Sequence, residues 1–229
     1  MRPAEVMDLG TQNPFLLRWM GRTDYIPCWR AMRTFTDDRD EATADELWAT
    51  EHTPVYTLGL SGKREHLLRE TDIPVVATDR GGQVTYHGLG QLVLYTLVDI
   101  RRQKLGVREM VRRLEEAVCR WLGGFDIAAY GKASAPGVYV RRDHSEYKIA
   151  ALGLKVKNGR AYHGLSVNID MSLAPFTDIN PCGFAGLKVT QLADFGIRID
   201  LCTAARQLAP QVAECLLSKN ESIAGEILR

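Results

Sequence analysis

The sequence predicts an α+β fold, and three observations carry that prediction. Helical and strand-like segments follow one another irregularly, without the strict strand–helix–strand alternation of a doubly wound sheet. Gln91–Ile100 (QLVLYTLVDI) is apolar nearly throughout, the pattern of a central strand covered on both faces. Val107–Leu122 places Val107, Met110, Val111, Leu114, Ala117, Val118, Trp121 and Leu122 at steps of three or one, which is one face of a helix. Glu109/Arg113 and Glu116/Arg120 add i,i+4 pairs on its other face.

The remaining elements follow in chain order. Pro27–Asp37 reads as a helix with Asp24 as its cap. The acidic stretch Asp37–Glu51 reads as a solvated loop and helix start. Val55–Leu58 is a short β-like run, and Ile73–Thr78 is a strand closed by Asp79-Arg80-Gly81-Gly82. Gly137–Arg141, Lys148–Val156 and Ala161–Asp170 are β-like. Lys157-Asn158-Gly159-Arg160 joins the last two as a hairpin turn, because Asn-Gly supplies the positive φ that a tight turn needs. Leu201–Leu217 is helical with Asp200 as cap, and Pro210 is expected to kink or split it.

Composition mostly excludes. The chain has 229 residues, enough for one domain, 1–229, with a core that needs no disulfide or metal staple. Lys and Arg number 29 against 28 Asp and Glu, a net charge of +1, so this is neither a basic nucleic-acid binder nor an acidic tail protein. Five cysteines cannot all pair, and none forms a C-x-x-C, so reduced thiols and no structural zinc are expected. No apolar run is long enough for a membrane span, and Met1–Gly10 lacks an export signal. A cytoplasmic protein with no membrane partner is the expectation. There is also no P-loop, no complete dinucleotide fingerprint, no G-x-S-x-G elbow and no histidine pair at metal-ligand spacing. Neither ATP bound through a P-loop, nor a nicotinamide, nor a metal is indicated.

Three constellations remain, each with a plain structural alternative. Arg80–Gln91 (RGGQVTYHGLGQ) holds four glycines, an Arg and a His between two strands. Such a loop exposes backbone N–H groups to a ligand, or merely turns the chain. Lys148 opens an apolar strand, where it either snorkels to the surface or sits buried with a shifted pKa. Cys182, framed by Pro181 and Gly183 in a loop, is an exposed nucleophile or a small hydrophobe.

Taken together, the order and spacing of these pieces closely resemble the lipoyl(octanoyl) transferases. The matching segments are EHTPVYTLG (Glu51–Gly59), RGGQVTYHGLGQ (Arg80–Gln91), APGVYV (Ala135–Val140), KIAALGLKV (Lys148–Val156), HGLSVNID (His163–Asp170) and INPCGFAGLKVTQL (Ile179–Leu192). They fall within residues 21–192. The resemblance implies a mixed sheet packed on helices, like the biotin and lipoate protein ligases (class II aminoacyl-tRNA synthetase and biotin synthetase type). It implies transfer of octanoyl from acyl carrier protein to a lysine of lipoyl domains, those of 2-oxoacid dehydrogenase E2 subunits and the glycine-cleavage H protein. It implies a monomer needing no ATP, metal or nicotinamide.

The same resemblance assigns residues. Cys182 matches the acyl-thioester nucleophile, and Lys148 the lysine that lowers the thiol pKa and acts as acid and base. Arg80, Gly81, Gly82, Gln83, Val84, Thr85, Tyr86 and His87 match the segment lining the acyl site. Ala151, Leu152 and Gly153, with Gly164, Leu165 and Ser166, match two backbone segments touching the acyl group. That Lys148 and Cys182, 34 positions apart, meet is implied by the resemblance alone. Three departures stand out: Leu89 where Pro is usual, implying a looser turn; Ser166 where Ala is common; and a longer, more charged Arg141–Tyr147. Backbone N–H groups around Gly183 or Gly153 are candidates for an oxyanion hole. The basic segment Arg101, Arg102, Lys104, Arg108, Arg112, Arg113 and Arg120 is a candidate landing face for an acidic carrier. Two rival readings are an ATP-dependent ligase of the same fold and a non-catalytic acyl-binding protein.

Overall fold

The computed structural model describes residues 5–9 and 14–217. In chain order the elements are β1 (Glu5–Asp8), β2 (Phe15–Thr23), α1 (Tyr25–Asp38), β3 (Asp45–His52), β4 (Val55–Leu58), β5 (Val75–Ala77), β6 (Val84–His87), β7 (Gln91–Asp99) and α2 (Val107–Gly123). Then follow β8 (Ala129–Gly131), β9 (Val138–Arg142), β10 (Ser145–Lys157), β11 (Arg160–Asn168), β12 (Lys188–Val189) and α3 (Leu201–Leu217).

The main sheet runs β1-β2-β3-β7-β11-β10-β9-β8, with β12 also paired to β10. It is mixed: β2 lies parallel to β3 and β12 parallel to β10, and the other pairs are antiparallel. A small second sheet, β5-β4-β6, carries the glycine-rich loop. The α+β reading and the mixed sheet packed on helices are what the chain forms.

Strand β7 explains its own apolar run. Leu92, Leu94 and Val98 point into the core made with α2 and α3, and Val93, Tyr95 and Leu97 point to the opposite face with Cys28 and Met32 of α1. Side chains alternate along a strand, so a strand covered on both sides must be apolar at successive positions. The Asn158-Gly159 turn forms as expected, and Asp200 caps α3 by accepting from Thr203 N–H at 2.9 Å.

Several expectations need correcting. Residues 45–52 are not a solvated loop and helix start but β3, a buried strand between β2 and β7. Its Leu47 and Ala49 fill the main core, and its acids are neutralised across the fold: Glu46 by Arg18 (2.6 Å) and Asp45 by Arg39 (2.5 Å). Asp24 makes no side-chain cap on α1; its carboxylate accepts from the Thr53 hydroxyl at 2.8 Å instead. Pro210 does not split α3, which runs unbroken over 17 residues. The charged Arg141–Tyr147 stretch is the β9–β10 hairpin, turning on Asp143 and His144, both at positive φ.

Candidate active site

The site lies where the small sheet's loop meets β10 and β11. Lys148 is on β10, and β12 pairs beside it in parallel, with Lys148 opposite Val189. Thr190 N–H donates to the Lys148 carbonyl at 3.0 Å. That pairing brings the preceding loop back over β10, and with it the 3-10 turn Pro181–Gly183. Asn180 N–H donates to the His66 carbonyl at 2.9 Å and pins the turn from the other side. Cys182 then sits at φ 56° and ψ 18°, a left-handed conformation that a residue with a Cβ adopts at a cost of about 1–3 kcal/mol.

The result is a close pair. Lys148 Nζ donates to Cys182 Sγ at 3.0 Å and to the Pro136 carbonyl at 3.1 Å, and stands 5.1 Å from the centre of the Tyr139 ring. Lys148 is only 3% exposed, so it does not snorkel. Burial acts to lower its pKa, but the Cys182 sulfur and the Tyr139 hydroxyl together outweigh burial and leave the ammonium above its ordinary value. The other cysteines lie elsewhere. Burial pushes the Cys28 thiol up to about 12 and Cys119 up to about 11, as expected of packing thiols.

Beside Cys182 opens a cavity of about 380 Å³, a modest ligand-sized chamber. Its lining includes Arg80, Gly81, Gly82, Gln83, Val84, Thr85 and His87 from the glycine-rich loop. Ala151, Leu152 and Gly153 of β10 and Gly164, Leu165 and Ser166 of β11 complete the expected set. Val107 and Phe184 line it while remaining 47% and 45% exposed, which marks them as rim residues. Lys148 does not line this chamber. It lines a narrow crevice that shares Thr85, Ser166 and Cys182 with it, so it reaches the sulfur from behind.

Arg80 is buried and holds the loop's shape. Its guanidinium donates to the Thr57 carbonyl (2.7 Å), the Gln83 carbonyl (2.7 Å) and the Gly81 carbonyl (2.9 Å). Among the described residues it has no carboxylate ion pair, so its charge adds to the field at Cys182. Tyr86 is the exception among the expected site residues. Successive β6 side chains alternate, so Tyr86 faces away from the chamber, against Tyr56 and Phe176.

Hydrogen bonds correct one of the two oxyanion candidates and the reading of the turn at Leu89. Gly183 N–H already donates to the Asn180 carbonyl at 2.9 Å, so it is no free oxyanion donor. The turn at Leu89 is not loose: Gly90 N–H donates to Glu51 Oε1 at 2.8 Å, and the Gly90 carbonyl accepts from Asp170 N–H at 3.0 Å. The basic segment is also largely neutralised in place. Asp99 pairs with Arg101, Glu109 and Glu116 pair with Arg112, and Glu116 pairs with Arg120. Arg102 donates to the carbonyls of Asp40, Glu41 and Thr43, and Arg113 is buried on Glu109 and the end of α3. Lys104 and Arg108 form no ion pair among the described residues.

Sequence reasoning missed the polar end of the chamber, formed by Tyr25, Tyr95 and His163 beside His87. His163 sits at positive φ and donates from Nε2 to Asp79 Oδ1 at 2.8 Å. Burial acts to raise the Asp79 carboxyl, but His163, Tyr162 and Trp29 all donate to it and hold it well below the usual carboxylate range. His52 Nδ1 donates to the Thr23 carbonyl (2.9 Å), and its Nε2 stands 2.6 Å from the Tyr95 hydroxyl. His87 Nδ1 donates to Gln91 Oε1 at 2.7 Å. The matched segment His163–Asp170 contained the one available signal, a histidine directly before a wall glycine.

Burial pulls all three histidines down, His52 to about 4, His87 to about 3, and His163 in the same direction. The folded state therefore keeps them neutral where the unfolded chain protonates them, below about pH 6.5. Stability is fully present above that pH and falls as pH drops, by about 1.4 kcal/mol per pH unit for each histidine. The loss continues until the folded-state values are reached. Urea midpoints should thus fall sharply between about pH 7.5 and about pH 5.5. Equal midpoints would contradict the neutral burial of these rings.

The mixed sheet packed on helices is a fold of the lipoyl and biotin protein ligase class. Residues 24–212 match the family model described as the lipoyl protein ligase A/B catalytic domain. Among solved structures, the chain is similar to an archaeal bipartite lipoate protein ligase from Thermoplasma acidophilum, at TM-score 0.68 and 15% identity over 87% of this chain and 82% of that one. It is similar also to a biotin protein ligase from Aquifex aeolicus, at TM-score 0.51 and 12% identity over 87% and 68%. These likenesses establish the fold. An octanoyltransferase of Chromobacterium violaceum is 54% identical over 91% of this chain and 99% of its own length. The chain belongs to the octanoyltransferases and is an enzyme, an acyltransferase of lipoate biosynthesis.

Proposed function

We propose that the protein takes octanoyl from the thioester of acyl carrier protein onto Cys182, then passes it to the target lysine of a lipoyl domain. The acceptors are lipoyl domains of 2-oxoacid dehydrogenase E2 subunits and the glycine-cleavage H protein. The observation that carries this reading is the 3.0 Å contact between Lys148 Nζ and Cys182 Sγ at the edge of the chamber. An ammonium at that distance, desolvated on all other sides, stabilises negative charge on the sulfur.

The steps balance with these two groups alone. The Cys182 thiolate attacks the acyl carbonyl, a new C–S bond forms, and the carrier sulfur leaves with the Lys148 proton. Octanoyl-Cys182 and neutral Lys148 remain. The acceptor amine then attacks the same carbonyl and gives its proton to Lys148, and Cys182 leaves as thiolate beside the restored ammonium. The first step exchanges one thioester for another, and the second makes an amide and is downhill. No nucleotide, metal or nicotinamide enters.

The enzyme on this reading is a single catalytic domain, monomeric and cytoplasmic. No helix among the described residues is long and apolar enough to cross a membrane. The test against a ligase of the same fold is direct. Transfer from octanoyl-carrier to a purified lipoyl domain should proceed at full rate with ATP removed by apyrase. Transfer that appears only when ATP is present would return the ligase reading.

A further inference from the structure

Helix α2 carries a carboxylate that the dyad has not yet explained. Glu115 is 8% exposed and packed behind the reacting pair. Its Oε1 accepts the backbone N–H of Gly137 at 2.8 Å. The other end of that same peptide unit is the Pro136 carbonyl, which accepts from Lys148 Nζ at 3.1 Å. Lys148 in turn donates to Cys182 at 3.0 Å. A carboxylate, a peptide group, an ammonium and a sulfur thus stand in one file.

Each link strengthens the next. A negative group on the N–H end of a peptide polarises it and makes its carbonyl oxygen a better acceptor. That oxygen is a fixed partner of the ammonium apart from the sulfur. Gly137 is built for the approach: it sits at φ +145°, and a Cβ there would lie 2.7 Å from Lys148 Cε and 2.9 Å from its Nζ. The peptide is therefore seated close against the lysine, and the same Cβ would also lie 2.9 Å from the Ala150 carbonyl. Gly131 leaves matching room for the carboxylate, since a Cβ there would lie 2.6 Å from Glu115 Oε2.

We propose that Glu115 is a positioning residue for the acyl transfer: through the Pro136–Gly137 peptide it aims the Lys148 ammonium at Cys182 and favours its charged form. This rests on the dyad reading above. The ionisable groups around the file are few. Lys148 faces Cys182, Tyr139 and, at longer range, Glu115. Cys182 also feels Arg80 and Tyr139, and Cys119 lies near Glu115 on the same helix. Lys132 covers the Tyr139 ring at 4.8 Å. Of these, Glu115 is the group that touches the Pro136–Gly137 peptide from the side opposite Lys148.

The experiment compares alkylation of Cys182 by iodoacetamide across pH, read by mass on the peptide that contains it, in four intact proteins: wild type, Glu115→Gln, Lys148→Ala and the double variant. Glu115→Gln keeps an acceptor for Gly137 N–H and removes the charge. Its alkylation midpoint should move up by about one pH unit, so that reactivity near pH 7 falls about tenfold. Steady-state kcat for octanoyl transfer should fall with it while KM for octanoyl-carrier stays put. In the Lys148→Ala background the same change should move the midpoint no further, because the lysine through which Glu115 acts is gone.

A Glu115→Gln midpoint equal to wild type, with Lys148→Ala shifted, overturns the Glu115 proposal and leaves the dyad intact. An equal shift in both backgrounds overturns it too, since the effect then bypasses Lys148. A Lys148→Ala midpoint equal to wild type overturns the dyad reading itself. If Glu115→Gln does not fold, Glu115→Asp keeps the charge and should retain a midpoint closer to wild type than to Lys148→Ala; a midpoint at the Lys148→Ala value sinks the proposal.

Discussion

Cys182→Ser should abolish the octanoyl adduct. Wild-type protein mixed with octanoyl-carrier, without acceptor, should gain the mass of one octanoyl group and lose it to neutral hydroxylamine, which cleaves thioesters. The serine variant should gain nothing, and its overall transfer rate should fall by about a thousandfold or more. The physical reason has two parts. A serine hydroxyl is far less acidic than a thiol, so Lys148, placed to stabilise a charged sulfur at 3.0 Å, has no anion to stabilise. An oxygen ester formed there is also a poorer acyl donor to an amine than a thioester. The other thiols do not substitute, since Cys28 and Cys215 are buried and Cys119 and Cys202 sit on helices α2 and α3 outside the chamber. An adduct that persists in Cys182→Ser would place the acyl group on another residue. No adduct on wild type would overturn the covalent route through Cys182.

Lys148→Ala carries the second large effect, and its sign depends on pH. The variant loses the cation behind the sulfur and the group that ferries the proton between carrier thiol and acceptor amine. Acylation near pH 7 should fall by about a hundredfold to ten-thousandfold, the usual worth of a positioned acid–base group. As pH rises toward the ordinary thiol range near 8.5, more thiolate forms without help, and the single-turnover acylation rate should recover in part. The transfer half-reaction should recover less, because it also needs a base. Rapid-quench measurement of the two half-reactions separates them. An unchanged acylation rate near pH 7 would remove Lys148 from the chemistry. A change of Lys148 to Arg should not restore function, because guanidinium does not give up its proton in the working range.

The legible and illegible parts of this fold divide on physical grounds. Strand β7 and helix α2 were readable because each announces its environment in its own period, one apolar at nearly every position and the other at helical spacing. Strand β3 was not, because its acids look solvated until Arg18 and Arg39, brought in by chain folding, neutralise them. The identities of Cys182 and Lys148 stood out from their settings and from the resemblance. Their meeting came from the resemblance alone and not from their settings, because it depends on β12, two residues long and without a sequence signature. Glu115, in sequence, is one more acid on an amphipathic helix. Only the fold turns it inward to the Gly137 N–H.

The composition of the chamber wall has a consequence for how this enzyme can change. Gly81, Gly82, Gly153 and Gly164 all line the chamber, so part of that wall is main chain. Main-chain atoms are the same whatever the codon. A side chain at Gly164 would not intrude on the cavity alone, since its Cβ would fall 2.1 Å from the Leu94 carbonyl of the neighbouring strand and break the sheet. At those four positions the wall follows the path of the backbone, and the rest is set by side chains such as Val84, Leu152 and Leu165. A lineage that needed a roomier or tighter chamber would exchange those side chains and leave the glycines in place.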